Sequence, residues 1–159
     1  MHWPNKTGRL SVPAEKQDPY RTRLDAKIEG VELSLRRLIA DQIDGQRALI
    51  PSHVQQRVAE RVAAAARKLP EDSAPRPATL DVQLEYFDLR ELQDVIISKS
   101  LWPRFEPTFR TKETLAVRFG HLAELRNAIR HSRTLTDLAV KDGEAAVLWF
   151  YSMLERVER

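Results

Sequence analysis

The chain has 159 residues, with 26 lysines and arginines against 23 aspartates and glutamates, a formal charge of +3 and a pI near 9.4. With 42% apolar and 31% charged residues the composition is that of a folded globular domain rather than a disordered segment. The absence of cysteine excludes a disulfide framework, a thiolate zinc site and a thiol nucleophile, and a surplus of three charges is too small to establish a nucleic-acid partner.

Residues 1–18 read as an irregular arm, with Pro4, Gly8 and Pro13, and a single helical domain is expected over 19–159. Asp18-Pro19 is a helix-start signature, because aspartate caps free amides and proline at the first helical position has no N–H to waste. Leu24, Ile28, Val31, Leu35, Leu38 and Ile43 then recur at helical spacing, with Gly45 as the stop. A second helix is predicted from Ser52 to Leu69 on Val54, Val58, Val62, Ala65 and Leu69, followed by an exposed loop from Pro70 to Ala78. From Leu80 the pattern is helical through Leu84, Phe87, Leu89, Leu92, Val95 and Ile96, and Trp102-Pro103 and Pro107 read as a break. Thr111 caps a helix running to about His131 with Leu115, Phe119, Leu122, Leu125 and Ile129. Thr136 caps a last one bearing Leu138, Ala145, Leu148, Trp149 and Leu154. Gly143 weakens that helix without ending it. No alternating strand pattern or repeat occurs, so an all-α bundle of about five helices is predicted.

The apolar runs, such as Val62 to Ala66, are too short to cross a bilayer, and Met1 to Lys6 lacks the apolar segment of a signal peptide. A cytoplasmic protein with no membrane partner is the expectation. The five glycines never cluster into a phosphate-cradling loop, and no serine has a nucleophile-elbow context. His2, His53, His121 and His131 form no metal-ligand spacing, and no pattern speaks for a bound cofactor.

The informative stretch is Leu125-Arg126-Asn127-Ala128-Ile129-Arg130-His131-Ser132. At about 100° per residue, Leu115, Phe119, Leu122, Leu125 and Ile129 share an arc of about 120°, and Arg126 falls inside it. An arginine on an apolar stripe needs an anion or a wet cleft for its guanidinium, and a carboxylate of the same chain serves as well as a phosphate. Arg130 lies one turn beyond Arg126 and addresses the same region, whereas Asn127 and His131 stack four apart on another face. Such a set suits phosphodiester cleavage without a metal. Histidine, titrating near about 6.5, exchanges a proton with a ribose 2′-hydroxyl or the leaving oxygen, and an arginine fork holds the nonbridging oxygens. One histidine cannot readily act as base and acid at once, which a second copy across a two-fold axis would solve.

Arg126 to His131 resembles the arginine, polar residue, three variable residues, histidine motif of the HEPN superfamily. The flanks match too. Glu32 to Ile39 resembles the opening helix of one branch. Tyr86 to Leu89, Asp94 to Ile97, Trp102, Phe105 and Phe109 follow its middle section, and Leu122 to Thr136 its Arg-Asn…His-Ser…Leu-Thr segment. That branch occurs at the C-terminus of the nuclear transcript-surveillance endonuclease and in many bacterial proteins, and the likeness spans about residues 25 to 155. The resemblance implies a dimerising helical fold and metal-independent RNA cleavage leaving a 2′,3′-cyclic phosphate. It assigns Arg126 to the phosphate, His131 to proton transfer and Asn127 to their orientation; Arg130, which either adds a phosphate contact or crowds the histidine, and Arg133 are the candidate substrate-binding residues beside them. Arg130 departs from the small residue relatives often carry beside the histidine.

Trp102, Phe105 and Phe109 are expected in the core rather than stacked on bases, and one of Trp149, Phe150 and Tyr151 at an interface. Arg57, Arg61, Arg67 and Lys68 read as a solvated face, and His121 is given no role. Two function classes follow. One is a ribonuclease, as a toxin with an antitoxin partner or a nuclease domain of a defence or surveillance protein. The other is an inactive HEPN-type module for dimerisation or RNA and nucleotide binding within a larger parent protein.

Overall fold

The computed structural model describes residues 19–71 and 79–157, and every element in it is helical. The arm of residues 1–18 and most of the loop predicted from Pro70 to Ala78 lie outside the described residues. Among the described residues there are seven α-helices and one 3₁₀ turn rather than about five helices. They are α1 (Pro19–Ile43), the turn Arg47–Leu49, α2 (Ser52–Arg67), α3 (Leu80–Leu84), α4 (Leu89–Ile97), α5 (Trp102–Phe109), α6 (Lys112–Arg130) and α7 (Asp137–Val157). No helix among these residues is long and apolar enough to cross a membrane.

The extra helices come from the segment after Leu80. Asp88 accepts from Glu91 N–H and the Glu91 side chain accepts from Asp88 N–H, a capping box that ends one helix and begins another. Pro103 and Pro107 do not break the chain. Pro103 lies in the first turn of α5, where an N–H has no helical partner, and Pro107 removes a single bond. Leu101, Phe105 and Phe109, four apart, are all buried, so one apolar face holds this short helix in spite of its prolines.

The described chain divides into two compact units. Unit one contains residues 19–34 and 108–157, and unit two contains 35–71 and 79–107. In unit one, Leu24, Ile28 and Val31 of α1, Leu115, Phe119, Leu122 and Leu125 of α6, and Ala146, Val147, Phe150 and Leu154 of α7 are buried. Phe119 and Phe150 meet edge to face at 5.0 Å, and Phe109 stacks on Trp149 at 6.0 Å. A Cβ on Gly143 would lie 2.7 Å from Leu125 Cβ, so its missing side chain allows the close crossing of α6 and α7. The caps predicted at Thr111 and Thr136 form, accepting from Thr114 and Ala139 N–H at 3.2 Å each. Of the apolar residues that α7 bears, Leu138, Ala145 and Leu148 point outward, with Leu138 70% exposed. The inner face follows Ala146, Val147, Phe150 and Leu154.

In unit two, Ile39, Ile43, Val54, Val58, Leu84, Phe87, Leu92, Val95 and Ile96 form the core. The α1 helix ends at left-handed Asp44 and Gly45, the glycine being the predicted stop at φ 77°. The α2 helix ends two residues before the exposed Leu69. Arg61 is not on a solvated face. It forms a two-point ion pair with Glu91, Nη2 to Oε2 at 2.7 Å and Nη1 to Oε1, and donates to Tyr86 O at 2.7 Å. Arg36 donates to Leu84 O and Phe87 O at 2.9 Å each, so two arginines hold the carbonyls of residues 84–87. The Glu91 carboxyl is fully buried. Burial alone would push it up. The Arg61 hydrogen bond, the Asp88 N–H and the charges of Arg61 and Arg57 outweigh that and hold it below the usual carboxylate range.

Candidate functional site

The candidate residues lie at the carboxyl end of α6, within unit one. On an ideal helix Arg126 and His131 are about 140° apart around the axis and about 7.5 Å apart along it. Arg126 is turned toward α1, and its Nε donates to Glu32 Oε1 at 2.5 Å. Glu32 is 5% exposed, so the pair satisfies both an arginine on an apolar stripe and a buried carboxylate. Arg126 keeps a quarter of its side chain exposed, and neither Nη nitrogen hydrogen-bonds to a described residue.

Arg130 also reaches α1. Its Nη2 is 3.4 Å from Glu29 Oε1 and its Nε 3.6 Å from Asp25 Oδ1, an oxygen that is buried without a hydrogen bond. Asp25, Glu29 and Glu32 are spaced four and three apart, so they form one acidic stripe opposite the two arginines. The common region addressed by Arg126 and Arg130 is therefore, in this structure, a row of the chain's own carboxylates. Nothing in the sequence of α6 reveals that stripe. It is visible in α1 only as acids interleaved with Leu24, Ile28 and Val31.

Asn127 and His131 face solvent away from the two arginines' partners on α1. Both are exposed, and neither side chain has a partner among the described residues. The α6 helix ends at Arg130, with His131 in the capping position at φ −107° and its N–H on Asn127 O at 2.9 Å. Ser132 is left-handed, at φ 52°, and Arg133 N–H closes the turn on Ala128 O at 2.8 Å. Arg133 is exposed and its guanidinium has no partner among the described residues. Ile129 is only half-buried, and Ala128 takes the core position instead.

The other residues singled out behave structurally. Phe105 and Phe109 are buried, and Trp102 is half-buried with Nε1 donating to Glu106 at 3.0 Å. Phe150 is core and Trp149 half-buried. Tyr151, the residue of the three that reaches outward, donates its hydroxyl to Lys27 O at 3.0 Å within the chain. His121 Nε2 is 3.8 Å from Asp142 Oδ2 of α7. Among the described residues no three His, Cys, Asp or Glu side chains converge to hold a metal ion.

Sequence reasoning missed Arg21. It is buried at the start of α1 and donates to Ala128 O and Ile129 O at 3.1 and 3.0 Å. No local pattern marks it, because its partners are main-chain carbonyls 107 and 108 residues away. Compared with protein-family models, curated proteins and solved structures, the chain matches none.

Proposed function

We propose that the chain is a HEPN-type, metal-independent endoribonuclease acting through His131, Arg126 and Asn127. The observation that carries this reading is the contrast at the end of α6. An exposed His131 has no partner within the described residues, and Arg126, a quarter exposed, has only its Nε engaged. Glu32 fixes the guanidinium plane, and the two Nη groups are the fork that holds nonbridging phosphate oxygens. His131 takes the proton of the ribose 2′-hydroxyl, that oxygen attacks phosphorus, and the 5′-oxygen leaves, giving a 2′,3′-cyclic phosphate. Protonation of the leaving oxygen falls to a second histidine. Because Arg126 and His131 diverge around one helix, a homodimer supplies both sets to one cleft. Arg130 and Arg133 add phosphate contacts, with Arg130 leaving its loose pairs with Asp25 and Glu29. A toxin held by an antitoxin, or a nuclease domain of a larger defence or surveillance protein, fits this chemistry.

A second reading has its own observation. Asp25, Glu29 and Glu32 already neutralise both arginines. That arrangement suits an inactive HEPN-like module for dimerisation or RNA and nucleotide binding. The two separate on one experiment: purified protein with total RNA in EDTA, beside H131A. Cleavage by the parent alone, with cyclic-phosphate ends, supports the nuclease. No cleavage by either, with retained RNA binding or dimerisation, supports the module.

A further inference from the structure

The last four carbonyls of an α-helix have no partner inside it. At the end of α6 two of them, Ala128 O and Ile129 O, are taken from outside by Nη2 of Arg21 at 3.1 and 3.0 Å. Arg21 comes from the first turn of α1 and is 6% exposed. Among the described residues it pairs with no carboxylate. A buried guanidinium that meets only carbonyls is a costly source of stability, because its desolvation is repaid by no opposite full charge. Its direct effect is local. Ala128 O also accepts Arg133 N–H at 2.8 Å, the bond that closes the turn around Ser132. Ser132 is in the left-handed region at φ 52°, a conformation normally left to glycine and one that needs support from its surroundings. His131 sits between these two restraints.

We propose that Arg21 is a positioning residue that, by clamping Ala128 O and Ile129 O, fixes the turn from which His131 is presented. For catalysis this rests on the ribonuclease reading; the clamping itself does not. The cation also complements the negative end of the α6 dipole, so clamp and charge act at the same place. Arg21 touches no reacting atom, and its contribution is transmitted through the backbone.

The test compares R21M, which keeps an apolar stem without donors, and R21K, which keeps a charged donor, by amide hydrogen exchange on the full chain. Exchange at His131 and Arg133 is expected to rise about tenfold or more in R21M, while Phe119 in the same helix changes less than about threefold. R21K restores most of the protection. If R21M does not fold, R21K alone is still expected to raise exchange at His131 and Arg133 more than at Phe119. Equal change at all three amides overturns the proposal. In the cleavage assay, kcat of R21M falls about 10- to 100-fold with KM within about threefold. V58A, a core truncation in unit two, keeps its kcat at a comparable loss of Tm. A kcat loss in R21M no larger than in V58A also overturns it. If the parent and H131A are equally inactive, the ribonuclease reading falls, and the exchange data alone decide whether Arg21 holds the turn.

Discussion

Arg126 and Glu32, 94 residues apart, meet through a bond of 2.5 Å from Nε to Oε1. The carboxylate is almost entirely buried and the arginine three-quarters so, which makes the pair asymmetric. Removing the arginine takes the Nε donor away from a buried carboxylate, whereas replacing Glu32 by glutamine leaves an acceptor for a guanidinium that still reaches water. We expect R126A to lose about 3 kcal/mol of stability in urea unfolding and E32Q about 1 kcal/mol. The double change E32L/R126L should cost less than the sum of the single truncations by about 1–2 kcal/mol. Additive losses would mean that the two side chains are not coupled. The asymmetry also bears on any cleavage assay, since R126A perturbs the fold and His131 is the cleaner probe.

That cleaner probe carries the second prediction. His131 and Arg133 are exposed and without side-chain partners among the described residues. H131A and R133A should therefore keep stability within about 0.5 kcal/mol of the parent. On the ribonuclease reading, H131A abolishes cleavage. R133A weakens RNA binding and reduces the slope of log K against log salt by about 0.7, one phosphate contact to a single strand. An unchanged slope would remove Arg133 from the RNA path.

In unit two, the Arg61–Glu91 pair sets a pH dependence. Desolvation raises the Glu91 carboxyl, and its hydrogen bonds and neighbouring charges lower it further than that, so its folded-state value lies below the ordinary 4.5. A carboxylate depressed in the folded state contributes stability above its unfolded pKa and loses it as the pH falls through the folded value. The parent should exceed E91Q by a constant margin at neutral pH, and the margin should shrink below pH of about 4.5. Urea midpoints of both proteins between about pH 3 and 7 measure this. A margin independent of pH would assign the effect to packing instead of charge.

The fourth prediction concerns Gly143. A methyl group there meets Leu125 Cβ at 2.7 Å and Cδ2 at 2.8 Å, and a Cβ cannot swing away as the end of a long side chain can. The gain in helix propensity from glycine to alanine, about 1 kcal/mol, is smaller than the overpacking cost of about 1–3 kcal/mol. G143A should therefore be destabilising. In an L125A background the same substitution should cost less, because Cγ and Cδ2 are gone, while the 2.7 Å contact with the retained Cβ keeps it destabilising. G143A stabilising the parent would show that α6 and α7 separate easily at this point.

How legible was all this in one dimension? The helices α1, α2, α6 and α7 follow from apolar spacing, and the caps at Thr111 and Thr136 from residue type, because these are interactions within a few positions along the chain. The split at Asp88 was not read, although an aspartate three residues before a glutamate is a capping-box pattern. A continuous apolar periodicity masks it. The helix at Trp102–Phe109 was not, because proline's local penalty speaks against it and only the burial of Leu101, Phe105 and Phe109 reverses the balance. Leu138 and Leu148 mislead for the complementary reason: apolar identity does not say which face of a helix finds a neighbour.

For the candidate site the sequence by itself determined the residues and their angular order: Arg126 on the buried stripe, Asn127 and His131 away from it. That much depends only on the pitch of a helix. Tertiary structure alone decided what each group faces. It brought Glu32, Glu29 and Asp25 to the two arginines, left His131 open and placed Arg21 on the carbonyls of α6. Those partners lie about a hundred residues away, and a charge's effect is set by its distance to other charges in space, which no local pattern encodes.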